Sequence, residues 1–398
     1  MEEVSVEGRV HAGNLRVLCL ESFFTRLNFG MVTLVLPFYS LLLGASMVEV
    51  GFIAAARQMA ATVFKVPVGW LADRAGRKPL IIFALVVRCL TSLGFLAARS
   101  PLDLAVVRLV QGVAVAARDP PTKAMLADST RASKRAEALA TYSTLGSVGQ
   151  LGGSALAGVI VDASGYQAFF LFSFLLSATI TVIAQLGLKE TGSARPGTGD
   201  ARKDAPGNRL RLRVLAPFCA VGLLYTLSTS LLNQLFQVYA VEIIGMSKTA
   251  VGFLFTAGAL VAAMSRIPTT RLYLRFGSRW TLSFSASLDA LMAAVYTVLR
   301  TPGEVFAARL IDAFSICAYA PIWDSTLLDN VPLRSRAWAF GVVEAVSELG
   351  GIVGPIAGGA AWQLQGYTYP FYLQAVLEMT AVALIILILP TAKREPKP

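Results

Sequence analysis

The residues of this chain best placed to do chemistry are the ionisable ones set inside long apolar stretches. Each is expensive in a bilayer, roughly 2.5–3.5 kcal/mol at mid-helix on insertion scales, and function is the usual reason for keeping one. They segregate by half. The first half carries Arg26, Arg57, Lys65, Arg88, Arg108, Arg118 and Lys123 against Glu21 and Asp119. The second carries Asp289, Asp312, Asp324, Glu344, Glu348 and Glu378 against Arg266 and Arg309. A cationic wall opposite an acidic wall could hold an anionic or zwitterionic solute, or carry protons on its carboxylates. The same charges could instead pair as struts and gates, and those near helix ends could snorkel. Glu344 and Glu348 lie four apart and share one helix face. Two carboxylates held close in apolar surroundings repel one another, so this pair is the leading candidate for a proton site.

The elements that must position these groups are apolar helices. Of 398 residues, 55% are hydrophobic and only 15% charged, against about 25% charged in an ordinary soluble domain. Apolar segments fall near 15–42, 47–70, 79–98, 101–127, 135–161 and 166–188, then 214–241, 247–271, 279–300, 302–329, 335–363 and 367–390. Each is long enough for the roughly 20 residues that cross a bilayer. The predicted fold is therefore an all-α integral membrane protein with 12 transmembrane helices. This spread excludes a soluble enzyme on one anchor, a disordered chain, a coiled coil and a collagen-like fibre. Cys19, Cys89, Cys219 and Cys317 stand alone, and His11 is the one histidine. No disulfide framework, metal site, phosphate loop or Ser-His-Asp set is expected, so neither enzymatic activity nor a cofactor is predicted.

Loop charge predicts the orientation. The even loops carry Arg74, Arg77 and Lys78, then Arg131, Lys134 and Arg135, then Arg271, Arg275 and Arg279, then Arg334 and Arg336. The odd loops hold little, and the tail is basic at Lys393, Arg394 and Lys397. The net charge of +11 thus reads as the cytoplasmic excess of Lys and Arg, not as a nucleic-acid surface. Both termini are expected in the cytoplasm, with anionic lipids at that face. Residues 1–13 include Glu2, Glu3 and Glu7 and no apolar core, so no cleavable leader is expected. A Gly-, Pro- and charge-rich stretch at 189–213 reads as a linker between an N-terminal bundle (1–188) and a C-terminal one (214–398).

The halves repeat. A constant shift of 201 places GASMVEVGF (44–52) on GMSKTAVGF (245–253) without a gap. It also pairs Pro67 with Pro268, Gly76 with Gly277, Arg108 with Arg309, Pro120 with Pro321 and Gly165 with Gly366. A duplicated six-helix unit is the architecture to expect, giving two pseudo-symmetric six-helix bundles.

After the second span comes GWLADRAGRKPLI, Gly69 to Ile81. It resembles the signature loop of the major facilitator superfamily, Gly-x-x-x-Asp-(Arg/Lys)-x-Gly-(Arg/Lys)-(Arg/Lys), with every specified position filled. The resemblance implies a conformational latch made by Gly69, Asp73, Arg74, Gly76, Arg77 and Lys78. The second copy has Leu274 where the first has Asp73, so a full latch is expected in one half only. Arg108, Gln111 and Gly112 in the fourth span resemble the Arg-x-x-Gln-Gly motif of proton-coupled members. Gly350, Gly354, Pro355, Gly358 and Gly359 complete the family's glycine-proline motif in the eleventh span, where the fifth span has Gly149, Gly153, Ser154, Ala157 and Gly158 and so lacks the proline. The nearest pattern is the 12-helix drug/proton antiporter-like branch.

The resemblance further implies a midplane cavity lined by first, second, fourth and fifth helices of each half. It nominates Arg26, Asn28, Arg57, Arg118, Asn233, Gln237, Tyr319 and Trp323 for substrate contact. Arg108, Asp312, Asp324, Glu344 and Glu348 are nominated for proton coupling. Arg88 and Asp289 lie on third-position helices and Glu378 on a sixth-position one, which the resemblance puts at the periphery, so a structural role is expected of them. The function expected is secondary transport of a small organic solute by alternating access, as proton-coupled efflux from a monomer in the plasma membrane. Alternatives are a symporter or facilitator of an organic anion or zwitterion, a lipid-moving protein of the same fold, and a non-transporting receptor.

Overall fold

A backbone buried in hydrocarbon must satisfy its own hydrogen bonds, so apolar stretches of this length become helices. The computed structural model describes residues 12–131, 134–191, 208–331 and 335–388, and all regular structure among them is helical. The N-terminal part contains α1 (Ala12–Leu42), α2 (Met47–Ala75), α3 (Arg77–Ala97), α4 (Pro101–Asp128) and α5 (Arg135–Gly187). The last is two spans joined at Gly165, whose φ of 78° breaks the helical path. In the C-terminal part, α6 (Asn208–Leu231) and the one-turn α7 (Leu235–Val238) run into a π-helical segment, Tyr239–Ile243, as one interrupted span. Then come α8 (Lys248–Tyr296), again two spans joined at Gly277 (φ 81°), α9 (Pro302–Asp329), α10 (Arg336–Gln365) and α11 (Tyr369–Ile388). With α5 and α8 each counted as two spans, the twelve expected spans are present.

The repeat extends to the backbone. Every positive-φ residue described is a glycine, and the six form three pairs at the expected shift: Gly44 with Gly245, Gly76 with Gly277, Gly165 with Gly366. Only glycine takes this conformation without a Cβ penalty, so each pair marks the same turn in both copies. The helix starts correspond too. Ser100 and Asp103 form a reciprocal capping box at the start of α4, and Thr301 and Glu304 form its counterpart on α9. Both follow the pattern Ser/Thr-Pro-x-acid, which satisfies otherwise orphaned N–H groups at a helix start.

The chain divides into two compact units, Met1–Gly44 with Ala56–Arg202 and Ala45–Ala55 with Lys203–Pro398. The second boundary falls inside the expected linker, most of which (192–207) lies outside the described residues. The first turns of α2 group with the C-terminal unit. At Gly51 the carbonyl of Pro355 approaches so closely that a Cβ would meet it at 2.1 Å.

Inside the N-terminal unit α1 packs along α5; inside the C-terminal unit α6 packs along α10. Small residues make these approaches possible in lipid. A Cβ on Gly153 would meet the Leu27 carbonyl at 2.1 Å, and one on Gly358 the Leu231 carbonyl at 2.2 Å. Leu18, Ile81, Leu85 and Met125 centre one core, and Leu215, Phe218, Leu282 and Trp323 another. Eight described helices are long and apolar enough to cross a membrane by length and composition. Helix α4 falls outside that set because Arg108, Arg118, Asp119 and Lys123 break its apolar run.

Candidate functional site: an acid-lined cavity in the C-terminal unit

The C-terminal unit encloses a cavity of about 290 Å³, near the lower end of the ~300–1,000 Å³ typical of small-molecule sites. Its walls come from α6, α7, α8, α9 and α11, with Tyr225, Phe236, Phe255 and Tyr296 as aromatic surfaces and Asn233, Asp289, Arg309, Asp312 and Gln374 as polar ones. Residues 232–234 interrupt the seventh span between α6 and α7, and Leu232 and Asn233 from this break line the cavity. Irregular backbone at membrane depth is tolerated where it lines a cavity or is buried in protein, and interrupted helices form many transporter sites.

The electrostatics of the cavity centre on Arg309. Its guanidinium carbon lies 5.2 Å from the ring centroids of both Phe236 and Phe255. The Arg309 Nη1 donates to Asp312 Oδ2 at 2.6 Å, and the Tyr296 hydroxyl donates to the same oxygen at 3.4 Å. Asp312 is 3% exposed and its other oxygen, Oδ1, has no partner. Asp289 Oδ2 and Gln374 Oε1, also on the lining, are likewise buried without partners. Buried polar atoms are seldom left unpaired. Here the orphans around one cavity are all acceptors, so the site calls for hydrogen-bond donors or protons.

The predicted residues of the N-terminal unit are mostly engaged with one another. Glu21 is fully buried and accepts from Arg118 Nε at 2.7 Å and from Arg118 Nη2 at 2.9 Å. Arg118 Nη1 reaches Asp119 at 2.7 Å, and its Nη2 reaches the Tyr142 hydroxyl at 3.1 Å. Nominated for substrate, Arg118 instead closes a buried ionic cluster. Asn28 is consumed in the same way, donating to the Ser177 hydroxyl and the Ser173 carbonyl and accepting from the Ser173 hydroxyl. Arg57 lies over the Phe29 ring at 4.9 Å with its Nε unpartnered, and Arg26 is exposed. Arg108, 2% exposed, donates to Gln111 at 2.8 Å.

In the C-terminal unit the structure brings Asn233 and Asp312 to the cavity. Tyr319 and Trp323 belong to the packed core. Tyr319 stacks on Tyr225 with centroids 3.4 Å apart, and Trp323 sits against Phe218 at 5.5 Å. Gln237 is buried on the α7 turn. Glu344 is exposed, and Glu348 and Asp324 are half-buried, so of the nominated carboxylates Asp312 is the buried one, together with Asp289 and Glu378.

The signature loop turns at Gly76 (φ 87°). Arg77 donates to the Ala124 carbonyl at 3.0 Å and pairs with Asp128, and Lys78 Nζ donates to the Gln185 carbonyl at 2.9 Å. The Glu190 carboxylate accepts from the backbone N–H groups of Arg77 and Lys78, capping α3 from a distance in sequence. These contacts lie within the N-terminal unit. The side chains of Asp73 and Arg74, and Gly69, lie outside the described residues. Among the described residues no group of His, Cys, Asp or Glu could hold a metal ion.

The cavity residues that sequence reasoning passed over are Asp289, Gln374 and the aromatic walls. One signal was legible: the repeat aligns Arg88 with Asp289, a reversal of charge at matched positions. That Asp289 faces a cavity depends on the tilt and rotation of α8, which no spacing rule supplies.

Comparison with known proteins completes the picture. The family model described as Major Facilitator Superfamily matches residues 18–218 and again 218–398, one match for each half. Over 385 residues the chain is 26% identical to Multidrug resistance protein 1 of Bacillus subtilis (strain 168), covering 94% of this chain and 95% of that protein. It is 27% identical over 299 residues to Tetracycline resistance protein, class G, of Vibrio anguillarum, covering 74% and 75%. Among solved structures, the nucleoside transporter NupG superposes with a TM-score of 0.78 at 14% identity, covering 94% of this chain and 98% of that one. A bacterial homologue of the human lysosomal transporter Spinster, inward-facing and occupied, gives 0.78 at 15% identity, covering 95% and 96%. At such identities these two likenesses concern the fold. Duplicated halves, twelve spans, the signature loop and a family match across both halves agree: the chain is a multi-pass membrane protein belonging to the major facilitator superfamily.

Proposed function

We propose that the protein is a secondary transporter that exports small organic solutes by alternating access, in exchange for protons. The observation that carries this reading is the pairing of Arg309 with Asp312 on the wall of the C-terminal cavity. A buried arginine stays charged and favours the ionised form of its partner, while movement of the pair apart favours protonation of the carboxylate. Solute contact and proton release can then compete at one residue. Relatives named for resistance to multiple drugs and to tetracycline, matched over most of their length, support export as the direction.

Within this reading Asn233 and the aromatic walls contact solute, together with Arg26 and Arg57. Arg108, Asp324, Glu344 and Glu348 tune the coupling, and the loop from Gly69 to Lys78 acts as the conformational latch. The protein acts as a monomer in the plasma membrane, both termini cytoplasmic, its basic loops against anionic lipid.

The test is reconstitution in liposomes made acidic inside. With the cytoplasmic face outward or mixed, tetracycline, a quinolone or a fluorescent dye should accumulate in the vesicles, and the lumen should become less acidic as it does. Collapsing the gradient with nigericin should abolish both. Counterflow with no proton movement for any solute in the panel would overturn proton exchange and leave a facilitator.

A further inference from the structure

The cavity wall conceals a second acidic group. Glu378 on α11 is fully buried, and Gln374, one turn earlier, donates its Nε2 to Glu378 Oε1 at 2.9 Å and to Asp289 Oδ1 at 3.5 Å. The Ser228 hydroxyl approaches the same Glu378 oxygen at 3.4 Å. On the far side of this arrangement, Asp289 Oδ2, Glu378 Oε2 and Gln374 Oε1 are all buried and without partners. An amide has two N–H donors, and both are directed here at the two carboxyl groups.

Among the described residues the surroundings offer one cation for three acids. On α6 the group is faced by Tyr225 and Ser228, on α8 by Tyr296, on α9 by Tyr319, Arg309 and Asp312, and on α11 by Gln374. Arg309 is the positive charge within reach of Asp289, and its short hydrogen bond goes to Asp312. Three carboxylates therefore share one guanidinium. Removing an ion from water costs several kcal/mol even after relaxation, unless a partner offsets it. Adding a proton cancels one charge and supplies the O–H donor that the orphaned oxygens lack.

We propose that Asp289 and Glu378, bridged by Gln374, hold one exchangeable proton between them, as a second proton site behind the cavity wall and separate from Asp312. Asp289 faces the cavity and Glu378 does not, so Asp289 is the entry and exit point and Glu378 the buried store. In the step itself, a carboxylate oxygen takes a proton from a hydronium ion in the cavity, leaving water and a neutral carboxyl. Release returns that proton to water and restores the carboxylate; no other bond changes. Their position on peripheral helices suggests a fixed strut from sequence alone, whereas the structure makes one of the two a wall of the cavity. The inference deepens the proton-exchange reading by adding a site to it.

The test is infrared difference spectroscopy of the purified protein in nanodiscs, titrated from acid to alkaline pH, beside Glu378→Gln, Asp289→Asn and the double variant. If the site exists, the protonated-carboxyl band that disappears on titration loses the amplitude of one carboxyl in the double variant. In each single variant the remaining acid should titrate at a different pH. A third variant, Gln374→Leu, retains both acids but removes the bridge, and should split the shared band. Unchanged bands in all of these folded variants would overturn the proposal. Because this readout needs no transport, it separates from the liposome test: exchange without the band, or the band without exchange, identifies which of the two readings has failed.

Discussion

The two halves share a backbone and differ in what they bury. At matched positions Arg108 donates to Gln111 at 2.8 Å and Arg309 to Asp312 at 2.6 Å, the same i,i+3 geometry with a neutral acceptor in one half and a charged one in the other. Arg88 corresponds to Asp289, Ser173 to Gln374 and Ser177 to Glu378. In the N-terminal unit these places hold a hydroxyl network closed by Asn28 and a guanidinium that donates to the Thr25 carbonyl at 2.6 Å. In the C-terminal unit they hold carboxylates with orphaned oxygens beside a cavity. The reverse holds nearer the cores. Glu21 and Arg118 are a buried ion pair, while their counterparts are Gly222 and Tyr319, the latter in an aromatic stack. Helix α1 is continuous where its counterpart is broken at 232–234. One duplicated scaffold thus carries a half whose buried acid is answered by a guanidinium and a half whose buried acids keep orphaned oxygens. A satisfied network rigidifies; orphaned acceptors beside a cavity leave something for protons or a solute to bind.

Five substitutions bear on this contrast. The largest effect is expected from Glu21→Ala, which leaves Arg118 buried without its bidentate partner and should lower stability by about 3–5 kcal/mol. Thermal unfolding in detergent measures it, and a variant as stable as the parent would mean that the N-terminal cluster is not the closed network described. Next come Gly153→Ala and Gly358→Ala, where a methyl group runs into the Leu27 and Leu231 carbonyls. Each should lose about 1–3 kcal/mol by overpacking, and a clear inequality between the two would show that the halves do not pack alike.

Asp312→Asn keeps the shape of the side chain but removes its charge. Gradient-driven accumulation in acid-loaded liposomes should fall about tenfold or more, equivalent to about 1.4 kcal/mol, with a far smaller change in melting temperature than Glu21→Ala. The smallest change is expected of Gln111→Asp, which gives the N-terminal unit the C-terminal pairing. Because a buried ion pair is close to neutral against a good alternative, the shift should stay within about 1 kcal/mol. The pH profile of exchange should also stay where it was, since the N-terminal site lacks the accompanying orphaned acids. A displaced profile would locate the coupling in the N-terminal half after all.

Much of the fold can be read directly from residue order. Apolar length and loop charge yield twelve spans, and the shift of 201 anticipates the kinks at Gly76, Gly165, Gly277 and Gly366. The capping boxes are visible as Ser100-Pro-x-Asp103 and Thr301-Pro-x-Glu304. The candidate site was legible only in outline. Asp312 and Asn233 line the C-terminal cavity, Tyr319 and Trp323 go into the core, and Glu344 is exposed while Glu348 is half-buried. A four-residue spacing shows that two carboxylates share a face; it does not show which way that face points. Nor does the pattern foretell the break at 232–234, since Leu-Asn-Gln is compatible with continued helix.

Sequence by itself determined the membrane class, the duplication, the turns that need glycine and the opposite charge of the two halves. These depend on composition and on local backbone sterics, which neighbouring residues decide among themselves. Only the tertiary structure decided which charges are answered. Glu21 meets Arg118 across 97 positions, and Gln374 meets Asp289 across 85. Such partnerships follow from how helices rotate and approach one another. In hydrocarbon those rotations are set by side-chain and backbone packing over the whole unit, not by any short stretch of the chain.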